Sequence, residues 1–256
     1  MVLESYVRKR LQRKEILLMT HIVLGYPSLH ESLRIVETMV EAGVDLMELQ
    51  IPFSEPIADG PVILRANQEA LRKGVKVKDC LSFAGRIAAA FPIPFLIMSY
   101  YNIPFRYGVR SFVAAMADLG LTGAIIPDLP PEEGEEYLDA MHGYALSPIL
   151  LFSPRTPFER MRRLGQIGKG FIYCVARKGV TGQETAFSED LSGYLALCRE
   201  ATTLPLAVGF GLSRRSDVDF LKGRADIAVV GSEVIRLMDK EGLSSVGPFL
   251  QSLQHA

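Results

Sequence analysis

Eight short runs rich in Val, Ile, Leu and Phe recur along the chain, each followed by a turn and then by a stretch with helical spacing. They are Leu17–Val23, Val44–Ile51, Pro94–Ser99, Gly123–Ile126, Pro148–Phe152, Gly170–Val175, Leu206–Val208 and Ile227–Val230. Runs this continuously apolar suit strands covered on both faces. Strands alternating with helices imply parallel pairing through right-handed crossovers. Eight such units in 256 residues predict a single (β/α)8 TIM barrel, an α/β fold, spanning residues 1–256. An open doubly wound sheet is the alternative, but no G-x-G-x-x-G follows the first strand.

Amphipathic stretches fill the intervals. Leu33, Val36, Val40 and Ala42 line one predicted helix, Leu81, Ala84, Ile87 and Ala88 another, and Tyr137, Leu138 and Met141 a third that starts at Pro130-Pro131. Before the first strand, Leu3, Val7 and Leu11 recur at spacing four and predict an extra helix, within residues 1–15, over the bottom of the barrel. Composition excludes several partners. The 28 basic and 29 acidic side chains leave a net charge of −1, with no basic stripe of the kind a nucleic acid requires. The longest apolar run, Ala88–Met98, contains Pro92 and Pro94 and falls far short of the roughly 20 residues that span a membrane. The N-terminal MVLESYVRKRLQRKE has no signal-type apolar stretch behind it, and Cys80, Cys174 and Cys198 form no C-x-x-C pair. The expectation is a cytoplasmic protein with reduced, mostly buried thiols.

In such a barrel the active site lies at the C-terminal ends of the strands. Within the second strand Glu48 and Gln50 share one face, while Met47, Leu49 and Ile51 share the other. The second set is uniformly apolar and belongs against the helices, so Glu48 points into the barrel. A carboxylate there is costly unless paired or functional, and burial moves it toward the range useful for proton transfer. A structural Glu bonded to a neighbouring hydroxyl or amide fits the same pattern. Asp59 lies in the following loop, PFSEPIADGP, where an Asp before Gly is commonly a turn residue.

Glycines mark a second group. The seventh strand runs into Gly209-Phe210-Gly211, with Ser213 as the expected helix cap, and the eighth into Gly231-Ser232, which opens a helix at once. Glycines let backbone N–H groups approach a ligand, and a helix N-terminus favours an anion; loops after strands seven and eight are the recurring phosphate site of these barrels. The polar loop RKGVTGQETAFSED after strand six reads as a lid or as a plain surface loop.

These residues resemble the tryptophan synthase alpha chain. The resemblance rests on Leu24-Gly25-Tyr26-Pro27-Ser28, on the run from Glu48 to Pro61 (ELQIPFSEPIADGP), on Ser99-Tyr100-Tyr101-Asn102 and on Ile126-Pro127-Asp128-Leu129-Pro130. Gly179-Val180-Thr181-Gly182, Val208-Gly209-Phe210-Gly211-Leu212-Ser213 and Val230-Gly231-Ser232 complete it. It implies retro-aldol cleavage of indole-3-glycerol phosphate to indole and glyceraldehyde 3-phosphate. Glu48 would be the acid/base serving indole C3 and the side-chain hydroxyl, and Asp59 would engage the indole N–H. Gly182, Gly211, Gly231 and Ser232 map onto the phosphate cradle; Tyr100, Tyr173, Thr181 and Phe210 map onto the pocket. No metal or organic cofactor is implied for this chain. The pyridoxal phosphate of the complex belongs to the beta chain, which the family binds as an α2β2 assembly.

The chain departs from the family pattern at Gln50, where glycine is common, at Glu55 in place of Asp, and at Ile103-Pro104 in place of Asn-Pro. Gln50 stands where it would crowd or hydrogen-bond the catalytic Glu48. His21 replaces a large apolar residue of the indole pocket and is either a core histidine or a group bonding to substrate. Three other readings compete. A Schiff-base aldolase needs a desolvated lysine, and only Lys178 follows a strand end closely. A metal-dependent aldolase needs clustered ligands, whereas His21, His30, His142 and His255 are scattered. A barrel that has lost catalysis and only activates a beta partner is the third.

Overall fold

A computed structural model describes residues 2–175, 189–209 and 211–254. Its strands are β1 (Leu17–Val23), β2 (Leu46–Gln50), β3 (Phe95–Met98), β4 (Gly123–Ile125), β5 (Ser147–Phe152), β6 (Ile172–Val175), β7 (Leu206–Gly209) and β8 (Ile227–Val230). They close in chain order into a barrel, every neighbouring pair parallel, with β1 against β8. All eight predicted strands are present, and the ends differ by at most two residues.

The two faces of the wall divide the apolar residues. Leu18, Ile22, Met47, Leu49, Ile97, Ala124, Leu206 and Val208 point outward into a continuous core beneath the helices. Met19, Leu46, Leu96, Ile125, Ile149, Phe171, Ala207, Ile227 and Val229 fill the interior. Two strand-to-strand intervals hold more helix than a simple alternation predicts. Pro61–Arg72 and Val77–Ala90 both lie between β2 and β3, and Asn102–Tyr107 and Val109–Asp118 between β3 and β4. Glycines make the breaks: Gly74 and Gly108 have φ of +78° and +92°, a region L side chains rarely adopt.

Of the expected helix-face residues Val36, Ala42, Leu81, Ala84, Ile87, Tyr137 and Met141 are buried, and the others lie at the edge. In Leu29–Glu41 the buried residues are Ser32, Ile35, Val36 and Met39, and Leu33 and Val40 sit at the edge. In Val77–Ala90 the buried set includes Cys80 and Phe83 beside Leu81, Ala84 and Ile87, and Ala88 is only partly buried. Pro131 opens a short 3-10 turn, Pro131–Glu133, and the α-helix proper runs Glu135–Gly143. Ser213 is not the cap expected of it. The helix Arg215–Leu221 is flanked by Arg214 instead, and Asp217 reaches back to accept from the Ser213 and Arg214 backbone N–H groups at 2.9 and 3.2 Å.

The N-terminal helix is Leu3–Leu11. Leu3 and Val7 are buried in the interior cluster with Leu17 and Leu46, and Arg8 bonds the Thr203 carbonyl at 2.7 Å, so the helix meets the N-terminal ends of the strands. Asp45, fully buried just before β2, latches it. Its carboxylate takes Arg10 at 2.6 Å, Lys14 at 2.8 Å and the Leu18 backbone N–H at 3.0 Å. Tyr6 donates to the Asp45 carbonyl at 2.9 Å. Asp45→Ala removes three charge-assisted bonds, while the two cations, both partly exposed, regain water. The expected loss is about 2 kcal/mol in urea unfolding, with turnover unchanged because the latch is at the far end from the site.

Candidate active site

The buried ionisable side chains of the interior lie at the C-terminal end of the barrel. Register sets this: Met19 pairs with Leu46, and one step of two residues further His21 pairs with Glu48. Both polar residues therefore face inward, above the apolar plug. Glu48 is 4% exposed and His21 3%. His21 Nδ1 lies 2.9 Å from Glu48 Oε1. The Tyr173 hydroxyl, from β6 across the barrel, approaches the same oxygen at 3.5 Å, a weak contact.

Burial pushes the His21 imidazolium toward its neutral form, but the hydrogen bond to Glu48 and the charges of Glu48 and Asp59 outweigh it, with help from the Gln50 amide. The net result is a pKa above the ordinary 6.5. The Tyr173 phenol is raised far above its ordinary value, first by burial and then by the charges of Glu48 and Asp59, so it stays protonated. Room for that ring comes from Gly209, where a Cβ would stand 2.7 Å from the Tyr173 hydroxyl.

Asp59 is brought to the same mouth by the loop after β2. Phe53 stacks on Tyr100 with ring centroids 5.1 Å apart, and the Phe53 N–H is held by buried Asn67 at 2.9 Å. The Ala58 N–H donates to the Tyr100 hydroxyl at 3.0 Å. Helix Pro61–Arg72 begins directly after Gly60, so Asp59 stands at a helix N-terminus, where an anion is favoured. Desolvation nevertheless raises the Asp59 pKa, opposed by His21, Gln50 and Tyr100. Tyr100 in turn is raised by its burial and by Asp59.

Gln50 faces the same interior as Glu48, yet its bond goes elsewhere. Its Nε2 donates to Asp59 Oδ2 at 2.7 Å, so it ties down the second carboxylate rather than Glu48. That contact, the Gly209 clearance and the Asn67 anchor were all missed by sequence reasoning. The spacing of Gln50 to Glu48 was the only signal that pointed here.

The glycine group sits at the adjoining rim. Helix Ser232–Glu241 starts immediately after β8 with Gly231 as its N-terminal flank. Its first N–H groups have no intrahelical partner, as at any helix start. Gly231 backs onto His21, where a Cβ would come within 3.2 Å of the His21 Cβ. Gly211 has φ of +64°, and among the described residues nothing stands within 4 Å of where its Cβ would be. Thr181, Gly182 and Phe210 lie outside the described residues, as do Lys178, His255 and most of the loop expected as a lid. No described lysine is buried, which leaves the Schiff-base reading without support among the described residues.

A family model described as tryptophan synthase alpha chain matches residues 7–247. This chain belongs to that family. A tryptophan synthase alpha chain from Desulforapulum autotrophicum is 64% identical, covering 98% of this chain and 100% of the relative. Among solved structures, Mycobacterium tuberculosis tryptophan synthase superposes with a TM-score of 0.91 at 31% identity, covering 98% and 96% of the two chains. A structure of the tryptophan synthase α2β2 complex from Pyrococcus furiosus matches with a TM-score of 0.88 at 28% identity, covering 94% and 98%. The family's barrel and this one share their architecture from end to end.

Because the His21 pKa is raised in the fold, protonation of His21 stabilises the native state. That contribution is complete below the ordinary value of 6.5 and is lost as pH rises through the folded-state value above it. The stability advantage of wild type over His21→Asn is therefore expected to shrink as pH rises above the ordinary value of 6.5, read from paired urea midpoints.

Proposed function

We propose that Glu48 and Asp59 carry the retro-aldol cleavage of indole-3-glycerol phosphate to indole and glyceraldehyde 3-phosphate, the family's step in L-tryptophan biosynthesis. The observation that supports it most is a buried, anchored carboxylate facing the mouth of the barrel, with a second carboxylate on the neighbouring loop. Glu48 protonates indole C3 and removes the hydroxyl proton. Asp59, fixed by Gln50 at 2.7 Å, accepts the ring N–H and stabilises the positive charge that develops as C3 is protonated. The two roles differ because the environments differ: one group exchanges protons and the other holds charge.

The phosphate takes the rim after β7 and β8. Gly231 and Ser232 present the start of a ten-residue helix, and Gly211 leaves the approach open. The family resemblance assigns Gly182 to the same cradle and Thr181 and Phe210 to the pocket. Tyr100, Tyr173 and His21 are the described residues that would face the indole and glycerol portions. The chemistry consists of proton transfers and electrostatic stabilisation by these side chains.

A tryptophan synthase beta chain is the partner, in an α2β2 assembly. Ile57, in the loop after β2, and Phe105, in the helix after β3, are 77% and 64% exposed. Large apolar side chains exposed on the segments that follow these strands are consistent with a docking partner there. Among the described residues no helix is long and apolar enough to cross a membrane. All three cysteines are free and buried, which supports the cytoplasm as the compartment.

The test uses the absence of tryptophan from the chain, which lets indole fluorescence report product. Purified chain, with and without a beta chain, is expected to release indole from indole-3-glycerol phosphate. Glu48→Gln and Asp59→Asn are each expected to lower kcat by about 10²-fold or more while binding of glyceraldehyde 3-phosphate survives. No release by wild type even with a competent beta chain contradicts the reading.

A further inference from the structure

Retro-aldol cleavage moves two protons through one carboxylate. Glu48 delivers one to C3 and collects one from the hydroxyl, so between turnovers one proton rests either on Glu48 itself or on a neighbour bonded to it. Few groups face Glu48. Among the described residues they are His21 from β1, Tyr173 from β6, and Asp59 with Gln50 from the loop side. Tyr173 remains a neutral phenol. Asp59 is engaged by Gln50 and serves the ring nitrogen. His21 is the group left, and its placement is specific. Its Nδ1 meets Glu48 at 2.9 Å with both side chains buried, Gly231 closes behind its Cβ, and Nε2 has no hydrogen-bond partner among the described residues.

Resting on the reaction assigned above, we propose that His21 is a positioning residue that anchors Glu48 and stores the proton which the carboxylate delivers to substrate. The cycle balances. At the start the Nδ1–H of an imidazolium donates to the Glu48 carboxylate. Its proton passes through Glu48 to indole C3, leaving neutral His21, anionic Glu48 and a cationic indole ring beside Asp59. Glu48 then takes the hydroxyl proton as the bond from C3 to the hydroxyl-bearing carbon breaks. The electron pair of that bond returns to the ring, and the hydroxyl carbon becomes the aldehyde. Nδ1 recovers the proton from Glu48, and the pair ends as it began.

The raised pKa of His21 favours the loaded form of the pair. Loading is lost as pH rises through that value, so kcat falls on the alkaline side. His21→Asn separates storage from anchoring, because its amide N–H can replace the Nδ1 donor but cannot titrate. His21→Phe removes both.

The experiment is the pH profile of kcat and KM for the full chain with indole-3-glycerol phosphate, paired with NMR titration of the histidine rings in wild type and Glu48→Gln. Wild type is expected to show an alkaline limb. His21→Asn is expected to lose that limb, with kcat about tenfold lower at neutral pH and KM within about threefold. The His21 ring of wild type is expected to titrate above 6.5, and Glu48→Gln to lower its midpoint by about one unit or more. If His21→Asn keeps both the wild-type kcat and the limb, or if the ring is neutral at pH 7 in folded wild type, the proposal is overturned while the reaction stands. Absence of wild-type turnover overturns the reaction and the proposal together. The ring titration needs no variant of His21 to fold.

Discussion

A carboxylate inside a closed barrel has to be matched by its neighbours, and the match between Glu48 and His21 organises this site. Register places the two side by side: pairing of Met19 with Leu46 brings His21 to Glu48 one pleat higher. Below them the interior is packed with apolar side chains. Above them lies the mouth. The apolar plug thus raises the cost of charge at this level and makes each polar contact worth more than it would be at the surface. Removing either partner leaves the other buried without its match, the costly case for an ion pair.

The second carboxylate is controlled from the outside in. Asp59 sits on a loop, but stacking of Phe53 on Tyr100, the Asn67 anchor and the Tyr100 contact to Ala58 remove much of that loop's freedom. Gln50 then bridges wall and loop. It belongs to the same strand as Glu48 and bonds Asp59, so a single strand positions both carboxylates. A glycine at that position could not make this contact, and the Asp59 carboxylate would depend on the loop alone.

Much of this was legible in the sequence because it depends on period. Alternation along β2 sends Glu48 inward and Met47, Leu49 and Ile51 outward, and the apolar runs mark all eight strands. What stayed hidden depends on side-chain reach. Gln50 was expected beside Glu48, and only the fold of the loop shows that its amide is nearer to Asp59. Gly209 looked like part of a phosphate loop, but its lack of a Cβ also makes space for Tyr173. The final Pro of PFSEPIADGP reads as loop in composition, yet Pro61 is the first residue of a helix, since a missing N–H costs nothing there. Ser213 looked like a cap, but the helix starts one residue later with Arg214 as its flank.

The most direct test of the whole arrangement is a crystal structure of Asp59→Asn with indole-3-glycerol phosphate bound. The account predicts a Glu48 carboxylate oxygen about 3 Å from indole C3, His21 still bonded to Glu48, and the phosphate at the start of the helix that begins at Ser232. A phosphate bound elsewhere on the barrel, or an indole C3 out of reach of Glu48, would contradict it.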